Sequence, residues 1–131
     1  MKLFDASDLR DVQYGCTEYA VKRLTGRDLY AETGVPPERM GFEIIEALTG
    51  GQCTIHDGTA KDLATGKLNG TMLRTRPSGQ EELHTIIVID GKQENPVIED
   101  QLSRRAVPAS DIIAEWKSAG QKFARCSTSR V

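Results

Sequence analysis

At 131 residues the chain has room for one domain with a real core and none for a second. An apolar share of 38% and a charged share of 27% are those of an ordinary globular protein. A net charge of −2 and a pI near 5.7 argue against nucleic acid as a partner, because phosphate binders usually carry a basic face. Arg104–Arg105 and the stretch from Arg125 to Arg130 are local exceptions, and both read as solvated surface. No apolar run approaches the ~20 residues of a membrane-spanning helix, so no membrane insertion is expected. Met1 to Asp5 lacks the apolar segment of a secretory signal. The chain is therefore expected to act in the cytoplasm or to reach a target cell by a route without a cleaved signal.

Residues 1–13 are polar and are expected to be poorly ordered. From Cys16 to Thr25 the apolar residues Ala20, Val21 and Leu24 recur at helical spacing, and Gly26 is the expected stop. Arg27 to Pro37 reads as a loop. A second helix is expected from Pro37, with Glu38 beside its N-terminal dipole, Met40, Ile44, Ile45 and Leu48 at helical spacing, and an end at Gly50–Gly51. The period then changes from helix to strand. Gln52 to His56 is a short strand candidate, Ala60 to Thr65 a short helix or turn, and Gly70 to Arg76 a strand broken by Pro77–Ser78–Gly79. Leu83 to Asp90 is rich in β-branched residues and is the best strand in the chain. Gly91 to Asn95 reads as a turn and Pro96 to Gln101 as the next strand. Ala109 to Ala119 is expected to be a helix with Ile112, Ile113 and Trp116 inward, and Gln121 to Cys126 a last strand. Helices first, then a mainly antiparallel sheet of four to five strands, make an α+β layout.

Cysteine usage points to chemistry rather than to a metal. The chain has three cysteines, without CxxC and without a histidine at zinc-site spacing. Neither a metal nor a cofactor is expected. An odd count without a signal favours reduced thiols. Cys53 and Cys126 read as packing residues, with a disulfide between them as the alternative, and Cys16 is then left over.

Cys16 opens the first helix, where the amide dipoles lower a thiol's pKa. His84 lies inside the strongest strand and can take the thiol proton. The strands before and after Gly91–Asn95 are expected to form a hairpin. If Asp90 faces Asn95, His84 falls opposite Gln101; a slip of one residue sets it opposite Asp100. Directly opposed side chains are in hydrogen-bond range. A carboxylate there would fix the ring tautomer and stabilise the imidazolium. Asp100 is thus the favoured orienter, with Gln101 the alternative; Glu99 reads as a solvated strand residue and a lesser substitute. The backbone N–H of Cys16 and the side chain of Gln13 are candidate oxyanion donors. His56, beside Asp57–Gly58, reads as a turn histidine.

The order Cys16, His84, Asp100 resembles the papain-like superfamily of cysteine hydrolases. The text Gly15-Cys16-Thr17-Glu18-Tyr19-Ala20 is similar to the start of CHAP amidase domains, although that family's middle segment is absent. Cys16, Ala20, Leu24 and Gly26, with His84-Thr85-Ile86-Ile87-Val88 and Glu99-Asp100-Gln101, resemble compact papain-fold toxin and effector domains of bacteria. That resemblance implies a peptidase or glutamine deamidase acting on a protein or peptide, without nucleic acid, and with room for a cognate inhibitor or immunity protein. A peptidoglycan amidase of CHAP or NlpC type is the alternative enzyme. The alternative outside enzymes is a binding or adaptor domain with Cys16 and His84 in its core.

Overall fold

The computed structural model describes residue 3 and residues 15–36, 41–75, 83–113 and 122–127. Among these are four α-helices and a six-stranded antiparallel sheet, an α+β architecture. The helices are α1 (Cys16–Thr25), α2 (Leu29–Thr33), α3 (Phe42–Leu48) and α4 (Ala60–Ala64). The strands are β1 (Cys53–Asp57), β2 (Met72–Thr75), β3 (His84–Asp90), β4 (Val97–Glu99), β5 (Val107–Pro108) and β6 (Lys122–Cys126). They lie in the order β1-β6-β2-β3-β4-β5, so the last strand is inserted between β1 and β2. None of the described helices is long and apolar enough to cross a membrane.

The sheet is covered on both faces, and strand alternation decides which side chain goes where. Cys53, Met72, Ile87 and Ala124 join Tyr19, Ala20, Val21, Leu24, Leu29, Phe42 and Ile45 in one core layer beneath the N-terminal helices. Leu73, Ile86, Val88, Ile98 and Phe123 join Leu63, Leu68, Ala109 and Ile113 in the other. β3 is central to both layers: Ile86, Ile87 and Val88 are fully buried. Its unbroken β-branched run is what a strand covered on both faces requires.

α1 has the bounds expected of it. Gly26 takes the left-handed conformation at φ 78°, and its N–H bonds the Lys22 carbonyl at 2.8 Å. Other expectations need correction. The stretch after Arg27 is not wholly loop, because Asp28 caps α2 by accepting from the Ala31 N–H at 3.1 Å. The second expected helix is α3, in which Ile45 is buried but Ile44 is 41% exposed. Its proposed start at Pro37, with Glu38 and Met40, lies outside the described residues. The described residues form six strands rather than four or five, since β5 is a two-residue strand paired with β4. In place of the expected helix from Ala109, the described residues show a 3-10 turn at Ala109–Asp111, and the residues from 114 to 121, including Trp116, lie outside the described set.

The expectation of reduced thiols fails for one pair. Cys53 and Cys126 face each other directly in the β1–β6 register and are joined as a disulfide. The bond closes a loop with a sequence separation of 73. Replacing both by Ala should lower the unfolding free energy by about 2–4 kcal/mol in urea denaturation. A midpoint unchanged from the parent would contradict this.

Candidate active site

Cys16 is the first residue of α1, after Gly15 in extended conformation as N-cap. Tyr19 is the first residue whose N–H bonds back to the Gly15 carbonyl, at 2.9 Å. The amides of Cys16, Thr17 and Glu18 therefore precede the helical ladder and face outward from its end. The Cys16 side chain is partly exposed, and it is the one free cysteine. One residue on, the Thr17 hydroxyl meets the Thr85 hydroxyl at 2.9 Å in a buried contact. That bond ties the first turn of α1 to β3 beside His84.

His84 opens β3. Its Nε2 lies 2.7 Å from Asp100 Oδ2, with the carboxylate side chain wholly buried and the ring 16% exposed. The other oxygen, Oδ1, accepts the N–H groups of Leu102 at 3.0 Å and Ser103 at 2.8 Å. Asp100 is thereby fixed by its own turn and has one oxygen left for the ring. With Nε2 engaged by Asp100, Nδ1 is the ring nitrogen left for the thiol.

These contacts set the charges. Burial alone would push the Cys16 thiol up; the His84 imidazole, the Thr85 backbone N–H and the Thr17 hydroxyl outweigh it and bring the thiol from 9.0 down to about 7. Burial alone would lower His84; Asp100 and Cys16 outweigh it and carry the ring from 6.5 up to about 9. Burial also opposes ionisation of Asp100, yet the His84 ring and the Ser103 amide hold its carboxyl below the ordinary range. The two shifts favour thiolate and imidazolium between about pH 7 and 9. A thiolate so placed is a nucleophile, and the imidazolium beside it is a ready proton donor.

The sequence named the right partners through the wrong register. Ile87 faces Glu99 and Val88 faces Ile98, and a bulge follows before Asp90 meets Val97. Neither hairpin register set out above is the observed one. Asp100 lies just past the end of β4 and reaches His84 diagonally rather than from directly opposite. Gln101 does not take the orienting role, because Asp100 already holds the ring nitrogen. Glu99 is not solvated: it is 2% exposed and engaged by Arg23 and Tyr19. His56 is not in a turn but on β1, stacked on Phe123 with ring centroids 5.2 Å apart. β6 and β2 lie between β1 and β3, so His56 belongs to a different part of the sheet from His84. Gln13, the expected second oxyanion donor, lies outside the described residues.

Two features went unread in the sequence. One is the Thr17–Thr85 bond, which no local pattern announces. The other is the set Tyr19, Arg23 and Glu99, whose one available signal was the spacing of Cys16, Tyr19 and Arg23 along a single helix face. No protein-family model, curated protein or solved structure matches the chain. Function has to be argued from the geometry of the site itself.

The electrostatics give a direct expectation. In the oxidised protein, iodoacetamide should label Cys16 with a rate that rises through a midpoint of about 7. His84→Ala removes the main group opposing burial, so its midpoint should move upward toward the ordinary thiol value. Equal profiles for parent and variant would show that His84 does not act on the thiol.

Proposed function

We propose that the protein is a small papain-like cysteine amidohydrolase that acts on an amide of a protein or peptide, in the manner of bacterial toxin and effector domains. One observation carries the reading: a single imidazole is bonded to a buried carboxylate and also lowers a thiol at a helix N-terminus. A core histidine needs one partner, and a core cysteine needs none. The conjunction of the three suits covalent catalysis better than packing.

In the proposed reaction the Cys16 thiolate attacks the amide carbonyl carbon, and the carbonyl electron pair moves onto oxygen. The Cys16 N–H at the start of α1 donates to that oxyanion. Imidazolium His84 gives its proton to the leaving nitrogen, the C–N bond breaks, and a thioester on Cys16 remains. His84, now neutral, takes a proton from water as the water oxygen attacks the thioester. Collapse releases the carboxylic acid and returns the thiolate–imidazolium pair. Throughout, Asp100 keeps the ring oriented and stabilises its charged form. Hydrolysis of a backbone amide is peptide cleavage; of a glutamine side chain, deamidation with release of ammonia.

kcat/KM on a glutamine-containing peptide should form a bell. It rises as the thiol ionises through about 7 and falls as the ring loses its proton through about 9. Cys16→Ala should abolish turnover while leaving the melting temperature close to the parent's. Asp100→Asn removes the charge that supports the imidazolium, so the falling limb should move to lower pH and narrow the bell. Mass spectrometry of the products separates cleavage from deamidation. Full turnover by Cys16→Ala would sink the proposal.

A further inference from the structure

Glu99 is a fully enclosed carboxylate next in sequence to Asp100, and among the described residues its side-chain partners come from the helix that carries the nucleophile. Arg23 Nε lies 2.6 Å from Oε2 and Arg23 Nη2 lies 3.1 Å from Oε1. The Tyr19 hydroxyl donates to Oε2 at 2.7 Å. Arg23 is itself largely covered, with 11% of its side chain exposed, and Tyr19 is fully buried. Cys16, Tyr19 and Arg23 stand at i, i+3 and i+7, one face of α1.

α1 also buries the apolar Ala20, Val21 and Leu24, and the polar Thr17, Glu18 and Thr25. Apolar packing is non-directional, and by itself it leaves a helix free to shift slightly along its axis or to roll. A guanidinium fork on a carboxylate fixes both distance and orientation. A buried ion pair is also a poor way to gain stability, since apolar side chains of similar volume usually do as well. Its presence here is better explained by position. The contacts close a ring: Arg23 on α1 to Glu99, along the chain to Asp100, across to His84, and back to Cys16 on α1.

We propose that Arg23, Tyr19 and Glu99 form a positioning clamp that seats α1 against the end of β4 and so holds the Cys16 thiol at the His84 ring. The clamp rests on the Cys16–His84–Asp100 reading, and none of its three residues touches the reacting atoms. The Thr17–Thr85 hydroxyl contact secures the first turn of the helix, and the clamp secures the turns that follow.

The charges nearby make the test directional. Facing the thiol are His84 from β3 and, behind it, Asp100 after β4; Glu18, two residues on in the first turn of α1, is a buried carboxylate common to parent and variants, and Thr17 and Thr85 are uncharged. Arg23 and Glu99 cancel, and Arg104 acts on Tyr19. Removing the negative charge of Glu99 alone should, by electrostatics, ease ionisation of the thiol and lower its midpoint. Loosening the helix should raise it, because burial then acts with less help from His84. The two effects have opposite signs.

The experiment is the pH profile of iodoacetamide alkylation at Cys16 in the full oxidised chain, for the parent, Glu99→Gln and Arg23→Lys, with circular dichroism as the check on folding. Arg23→Lys keeps the charge and loses the fork. In both variants the midpoint should move up from about 7 toward the ordinary thiol value, slowing alkylation at pH 6 about tenfold. If either single variant fails to fold, the double variant Arg23→Met/Glu99→Leu replaces the pair by apolar groups, and it should fold with the same raised midpoint. A folded variant whose midpoint stays near 7 or falls overturns the clamp while leaving the catalytic reading intact. A parent protein with an ordinary thiol midpoint overturns both.

Discussion

His84 Nε2 and Asp100 Oδ2 sit 2.7 Å apart, with the carboxylate sealed from water and its second oxygen held by two backbone amides. A histidine as covered as His84 would by itself lose its proton easily. Asp100 reverses that, and a charged ring is what draws the Cys16 thiol toward its anion. Each member of the trio has a burial cost that another member offsets. Asp100 stays ionised because of His84, His84 stays protonated because of Asp100 and Cys16, and Cys16 ionises because of His84. Remove one and the other two move toward their neutral forms.

The fold serves this arrangement by bringing three separate pieces of chain to one end of the sheet. β3 is buried on both faces, which makes its first residue a firm mount for the ring. β4 is short and ends in a tight turn, so Asp100 leaves the ladder and its side chain is fixed by local amides instead. That turn also contains Arg104 at φ 52°, a backbone conformation that is uncommon outside glycine. α1 lies across β3, and its N-terminus meets the strand at Thr17 and Thr85. Toward the β1 edge of the sheet the Cys53–Cys126 disulfide joins β1 to β6, with β2 between β6 and β3.

Much of this was legible in the sequence where local chemistry and global structure agree. α1 announces itself by Ala20, Val21 and Leu24 and stops at Gly26. β3 announces itself by its β-branched run. The pairing of His84 with Asp100 followed from treating β3 and β4 as a hairpin, although the register reasoning behind it was wrong. A bulge between Val88 and Asp90 shifts the pairing, and no turn residue signals it. α2 and β5 escaped notice because five- and two-residue elements are too short to show a period. The disulfide depends on β6 lying beside β1, and strand order is not written in chain order. Glu99 was misread because alternation alone cannot foresee that an arginine two turns into α1 will reach it.

The state of the His84 ring at pH 8 tests the central claim most directly. Nitrogen NMR of the ring in the oxidised protein should find both nitrogens protonated, and a titration should show the proton lost through about 9. In Cys16→Ala the loss should occur at lower pH, because the thiolate that favours the charged ring is gone. A parent ring that is neutral at pH 8 and titrates near 6.5 would contradict the thiolate–imidazolium pair and, with it, the chemistry assigned to the site.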